Sequence, residues 1–286
     1  MSMEAAGRDA VRYVETSLTY LGDVQGTPTN YLDRDPPQGV PARYARVKHL
    51  VRIYDARTLV PQATLDTQGF QLVGDPEGVL TDFREERAVR EVYYPAVDRL
   101  LRRVVGARKV LIFDHTYRSS MLAQRAANGT DTAVDEVHND YTARSGPERV
   151  RELLQRHAPQ EDAVKLMAGR FGIFNVWRPI NGVVEQKPLT ICDLRSMRQG
   201  DFVDAELKWP HRTGYVCAVR FNPEHRWYYF SRQEEHEATV FQCYDSVARN
   251  GARFGAHTAF DDPRSPAGAK ARESIEVRAI AFFAES

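Results

Sequence analysis

The strongest constraint on this chain is the train of short, β-rich segments that fills its second half. They run over 171–177, 189–194, 214–221, 226–232, 239–244, 253–260 and 274–283, separated by turn residues. A single strand of that length cannot bury a face alone, and many at near-regular spacing predict a sandwich, jelly roll or barrel. Further strands are expected at 44–54, which alternates well, and at 63–73, where Gly69 weakens the pattern. Apolar residues recur at three- and four-residue spacing through 82–105, which predicts a helix kinked or split at Pro95. Residues 109–114 read as a buried strand, and 147–157 as a second helix with Pro147 in its first turn. The helices precede the strand train instead of alternating with it. The expected class is therefore mainly β with flanking helices, not a parallel α/β sheet. A chain of 286 residues suits one domain over 1–286. Residues 1–80 would be an N-terminal extension or outer strands, and 81–286 would hold the helices and the β core.

Charge narrows the function classes. Lys plus Arg and Asp plus Glu each number 39, so there is no net basic field to draw in nucleic acid or an acidic membrane. The longest apolar runs, 110–113 and 280–284, are far too short to span a bilayer. The start, Met-Ser-Met-Glu-Ala-Ala-Gly-Arg-Asp, has no apolar core of a secretory leader. Cys192, Cys217 and Cys243 lie far apart, without the spacing of a disulfide framework or a thiolate zinc site, and read as small buried hydrophobes. The expectation is a soluble cytoplasmic protein acting on a small molecule, with a homodimer as the default assembly.

Chemistry gathers at a few positions. In His138-Asn139-Asp140, residues two apart on a strand share a side, so an imidazole and a carboxylate would face one ion. That pair suits Fe(II), Mn(II) or Zn(II). Among eight histidines, His157 and His236 sit in exposed contexts, and His115 reads as a satisfied core residue. His257 lies in an apolar strand, where it is either hydrogen-bonded or bound to something. On the next strand Arg272, Ser274, Glu276 and Arg278 share one face, with Ile275, Val277 and Ala279 on the other. An arginine with a hydroxyl two residues later clamps a carboxylate. The order His-x-Asp, then a later His, then Arg-x-Ser is the layout of a two-histidine, one-carboxylate triad with a 2-oxoacid anchor. Fe(II) would leave positions for 2-oxoglutarate and dioxygen, and the cofactor would carry the oxidation. Asn175 and Trp177 face one way on a neighbouring strand, as pocket wall or as core. Arg178 faces the other way, either pairing with Asp193 or helping to bind a carboxylate.

Six ordered motifs carry a family resemblance: Phe113-Asp114-His115-Thr116-Tyr117-Arg118, Asn175-Val176-Trp177-Arg178-Pro179-Ile180, Pro188-Leu189-Thr190-Ile191-Cys192-Asp193, Gln242-Cys243-Tyr244-Asp245-Ser246, His257-Thr258-Ala259-Phe260-Asp261-Asp262-Pro263 and Arg272-Glu273-Ser274-Ile275-Glu276-Val277-Arg278-Ala279. Over roughly 80–284 the chain resembles the hydroxylase/desaturase family of small-molecule biosynthesis that includes a component of the cephalosporin 7α-methoxylase. The resemblance implies a double-stranded β-helix, a jelly-roll or cupin-like barrel, with Fe(II)/2-oxoglutarate-dependent dioxygenase chemistry. It carries over His138, Asp140 and His257 as metal ligands and Arg272 as cosubstrate anchor, with Arg278 the competing arginine. The outcome would be hydroxylation, desaturation or a related C–H oxidation. Asp140 argues against a halogenase, which leaves that ligand position to halide. Two rival readings use the same residues: a zinc hydrolase or isomerase on the same barrel, and a non-catalytic binding barrel in which both histidines are core residues.

Overall fold

A computed structural model describes residues 12–119, 133–248 and 253–284. Two sheets carry the fold. The larger orders β1 (Tyr13–Leu21), β3 (Arg46–Asp55), β11 (Trp227–Tyr229), β8 (Leu189–Cys192), β13 (His257–Ala259), β6 (His138–Asn139), β10 (Thr213–Val219), β9 (Phe202–Lys208) and β2 (Thr29–Tyr31). The smaller orders β4 (Phe70–Gly74), β12 (Glu237–Asp245), β7 (Phe171–Pro179), β14 (Glu273–Phe282) and β5 (Lys109–Ser119), all antiparallel. The larger sheet curls back on itself. The outer edge of β1 meets the segment before β6, where Val137 N–H donates to the Thr19 carbonyl at 2.8 Å. The result is the double-stranded β-helix of the jelly-roll class.

Strand β14 shows why sequence and fold agree at the centre. Ile275, Val277, Ala279 and Ala281 point outward into an apolar layer with Val97, Leu100 and Leu101 of helix α1 (Tyr94–Val105). Burying each of those large side chains is worth about 1.5–3 kcal/mol. The opposite face of the same strand looks between the sheets. A one-residue slip in register would exchange the two faces, so the helix layer pins the polar face inward. Pro95 splits the helical region as expected. The chain is helical from Glu86, opens into a π turn over Val89–Tyr93, and resumes as α1 with Pro95 in its first turn. There the missing N–H costs nothing. Gly106 closes α1 in the left-handed region, φ 70°.

Several expectations need correction. The strand expected over 63–73 forms only as β4; residues 64–69 make a turn instead. Gly69 takes φ 83°, and a Cβ there would collide with Leu194. The strand expected over 253–260 shrinks to His257–Ala259 among the described residues. Strands β1, β2 and β9 and the helix α3 (Gln160–Ala168) were not expected. β1 was legible in principle, since Val14, Leu18 and Tyr20 are buried between exposed or half-buried polar residues, but its Thr, Ser and Glu content masks the alternation. Helix α2 (Ser145–His157) begins two residues before Pro147. The three cysteines are free and buried, and no helix among the described residues is long and apolar enough to cross a membrane.

Candidate active site

The site forms where the two sheets face each other. β6 and β13 are antiparallel neighbours with His138 directly opposite His257. Their rings lie 4.4 Å apart, centroid to centroid. Asn139 turns its amide to the Tyr141 carbonyl at 2.6 Å, and β6 ends there. Asp140 thus leaves the ladder, yet its carboxylate stays beside His138, with Oδ1 3.7 Å from Nε2. One ligand atom from each of His138, Asp140 and His257 lies within 4.8 Å of the others.

Protonation follows from the contacts. His138 Nδ1 lies 2.7 Å from the Glu136 carbonyl, which only accepts, so Nδ1 carries a hydrogen and Nε2 is the nitrogen turned toward Asp140. His257 is buried against Phe241, with Nδ1 lacking a hydrogen-bond partner. Burial, then the neighbouring His138, pushes it down to about 3, so it stays neutral. For Asp140, burial opposes ionisation. The Arg278 guanidinium, the two histidines and the Asn175 amide outweigh burial and hold its carboxyl well below the usual range. Two imidazoles, one of them with its Nδ1 orphaned, and an ionised carboxylate form the donor set of a divalent transition metal.

The expected companions assemble from the smaller sheet. Asn175 Nδ2 donates to Asp140 Oδ2 at 3.0 Å, and Arg278 Nε donates to the same oxygen at 3.1 Å. Arg278 also meets Asp114 at 3.0 Å and Glu276 at 3.3 Å. Arg272 makes no hydrogen bond to these carboxylates, although the Glu276 charge acts on it from along the same face. Its guanidinium donates to the Lys187 carbonyl and sits 5.4 Å from the centre of the Trp177 ring. Burial, then Arg118, pushes it down to about 10. Among the described residues no carboxylate comes within ion-pair distance of it. Ser274 Oγ is buried without a partner. Trp177 serves both as core aromatic and as cavity wall.

Among the charged residues that line the cavity, Arg118 and Glu276 have no role in the sequence analysis. Glu276 had been placed on the right face without a role; burial raises its carboxyl despite Arg278. Arg118 stood inside a quoted motif, and only the pairing Arg118↔Ser274 between β5 and β14 brings it here. Arg178 does not pair with Asp193. It pairs with Asp75 behind the sheet, because its strand face looks toward the helical layer, and Asp193 takes Arg195 instead. Larger clefts of about 670 and 530 Å³ lie against α3 and between α2 and α3, but neither contains any of the three donors. Chemistry, not size, selects the site.

Comparison with known proteins gives the same direction. The family model described as "Oxidoreductase/YMDC permease-like domain" matches residues 18–282. The chain is similar to the hydroxylase/desaturase efuI of Hormonema carpetanum, 32% identical over 255 residues that cover 82% of this chain and 83% of the relative. It is also similar to the Fe(II)/2-oxoglutarate-dependent dioxygenase nvfI of Aspergillus novofumigatus, 30% identical over 280 residues, 94% and 97% of the two chains. A solved structure of the iron and alpha-ketoglutarate-dependent endoperoxidase NvfI superposes with a TM-score of 0.84 at 28% identity, covering 96% of this chain and 99% of that one.

Proposed function

Because the chain belongs to the hydroxylase/desaturase family of Fe(II)/2-oxoglutarate-dependent oxygenases, we propose that His138, Asp140 and His257 hold its Fe(II) and that Arg272 anchors its 2-oxoglutarate. The observation that carries this reading is the convergence of the three donors within 4.8 Å, with the His138 tautomer already fixed. When bound, Fe(II) with 2-oxoglutarate and dioxygen supplies the oxidising power for C–H oxidation, with succinate and carbon dioxide as coproducts.

The chain's own residues divide the remaining work. The Glu136 carbonyl orients His138. Burial keeps His257 neutral, hence able to ligate. Among the described residues Arg272 is a desolvated cation with no carboxylate in ion-pair contact, and the Ser274 hydroxyl, two residues on, has no hydrogen-bond partner. Together they suit the far carboxylate of a dicarboxylic acid. Trp177, Leu189 and Ala259 line the same cavity and exclude water around it. The substrate is proposed as a small metabolite, hydroxylated or desaturated. Asp140 occupies the ligand position a halide would need. A cytoplasmic setting is supported by three free, buried thiols, which suit a reducing compartment. A homodimer is proposed as the working assembly; Leu50, exposed on β3, offers an apolar contact for it, and light scattering at a single-chain mass would rule it out.

The test is anaerobic titration with Fe(II) and 2-oxoglutarate. A visible charge-transfer band should require both together and vanish in His138→Ala and Arg272→Gln while far-UV dichroism stays unchanged. A full band in His138→Ala would sink the ligand assignment.

A further inference from the structure

We propose that Arg278 is a positioning residue which, with Asn175, holds Asp140 as a one-oxygen metal ligand and leaves cosubstrate binding to Arg272. The proposal rests on the ligand assignment above and adds how the carboxylate is kept in place.

The argument begins with one rung of the smaller sheet. Arg278 on β14 pairs directly with Asp114 on β5 and with Asn175 on β7, so three adjacent strands bring these side chains to one level. Asp140 arrives from the opposite sheet, following β6. Its two oxygens then fall into different surroundings. Oδ2 accepts from both Asn175 Nδ2, at 3.0 Å, and Arg278 Nε, at 3.1 Å. Oδ1 is the oxygen nearest His138 Nε2. An oxygen that already accepts two hydrogen bonds, one charge-assisted, is a poor second donor to a cation. Asp140 would therefore ligate through Oδ1 alone, with Oδ2 held by the protein's own donors.

Charge excludes the competing role. Arg278 commits Nε to Asp140, Nη1 to Asp114 and Nη2 to Glu276. One cation thus faces three carboxyl groups, and a dicarboxylic cosubstrate approaching it would add a fourth. Arg272 meets no such crowd: its hydrogen bond goes to a backbone carbonyl and its flat face to Trp177. The two arginines on one strand face thus hold different anions, one belonging to the protein and one brought in.

The test separates metal from cosubstrate. Co(II) alone is titrated into the metal-stripped full chain without 2-oxoglutarate, following the metal's visible absorption. Arg278→Gln and Asn175→Ala should each weaken Co(II) binding by about 10–100-fold, the usual cost of removing a group that orients a ligand. Arg278→Lys should recover part of that loss, and Arg272→Gln should leave Co(II) affinity at the wild-type value. At saturating metal, Arg278→Gln should bind 2-oxoglutarate like the wild type. Wild-type Co(II) affinity in Arg278→Gln or in Asn175→Ala overturns the proposal, as does a selective loss of 2-oxoglutarate in Arg278→Gln. If Arg278→Gln does not fold, Arg278→Lys and Asn175→Ala decide by the same criterion. Co(II) binding by His138→Ala equal to the wild type would instead remove the ligand assignment itself.

Discussion

Arg178 on β7 and Arg272 just before the neighbouring β14 are both buried arginines, yet they face opposite sides of one sheet and differ in electrostatic surroundings. Arg178, on β7, looks outward toward the helical layer. There it pairs with the Asp75 carboxylate, donates to the Tyr93 hydroxyl at 3.1 Å, and reaches the carbonyls of Asp75 and Glu235 at 3.2 and 2.9 Å. Arg272, at the foot of β14, looks inward, and among the described residues its contacts are one carbonyl and an aromatic face, with the Glu276 charge farther along the strand. Burial is common to both; counter-charge is not. A buried cation surrounded by the protein's own acceptors is a structural element. One whose charge is left unanswered is ready for an anion from solution.

The largest effect should come from the satisfied arginine. Arg178→Met leaves Asp75 buried without its partner and should cost about 3–5 kcal/mol of stability. Denaturant unfolding measures this, and a loss below about 1 kcal/mol would contradict the structural role. Replacing both partners, Arg178→Met with Asp75→Leu, should recover most of the loss, since removing a buried ion pair outright is often nearly neutral. The unsatisfied arginine should behave in reverse. Arg272→Gln is expected to keep wild-type unfolding but weaken 2-oxoglutarate by about 30-fold or more, equivalent to 2 kcal/mol or above for a desolvated charged contact; a destabilised protein with normal cosubstrate affinity would erase the contrast. Gly78 sharpens it further, because a Cβ there would strike both the Asp75 carboxylate and the Arg178 guanidinium. Gly78→Ala should therefore cost about 1–3 kcal/mol, readable as a lowered melting temperature. The smallest change belongs to Ser274→Ala, about 1 kcal/mol or roughly fivefold in 2-oxoglutarate affinity, from a single neutral hydrogen bond. An unaltered affinity there would leave Arg272 as the lone contact.

The same contrast marks what separates the family's oxygenase chemistry from the zinc-hydrolase and binding-barrel alternatives. All three use the histidines. The proposed anchor, an inward arginine followed two residues later by a buried hydroxyl, is needed only by the oxygenase reading, and the relatives named as 2-oxoglutarate-dependent enzymes place the chain in that family.

By itself the sequence determined whatever is local. Alternation on β14 set Ile275, Val277 and Ala279 against Ser274, Glu276 and Arg278, because a strand repeats every two residues whatever lies beside it. Periodicity located α1, and the missing N–H of Pro95 foretold its interruption. His138 and Asp140 were legible as a pair through spacing, and His257 through a polar ring in an apolar strand. Tertiary structure alone decided partnership. Asp75 lies 103 positions from Arg178, and Arg278 reaches Asp140 and Asp114 across 138 and 164 positions. Nothing local distinguishes Asp75 from Asp193 as the mate of Arg178, or Arg278 from Arg272 as the mate of Asp140. Those choices follow from which strands become neighbours and which face each turns inward, and strand order is a property of the whole chain's packing.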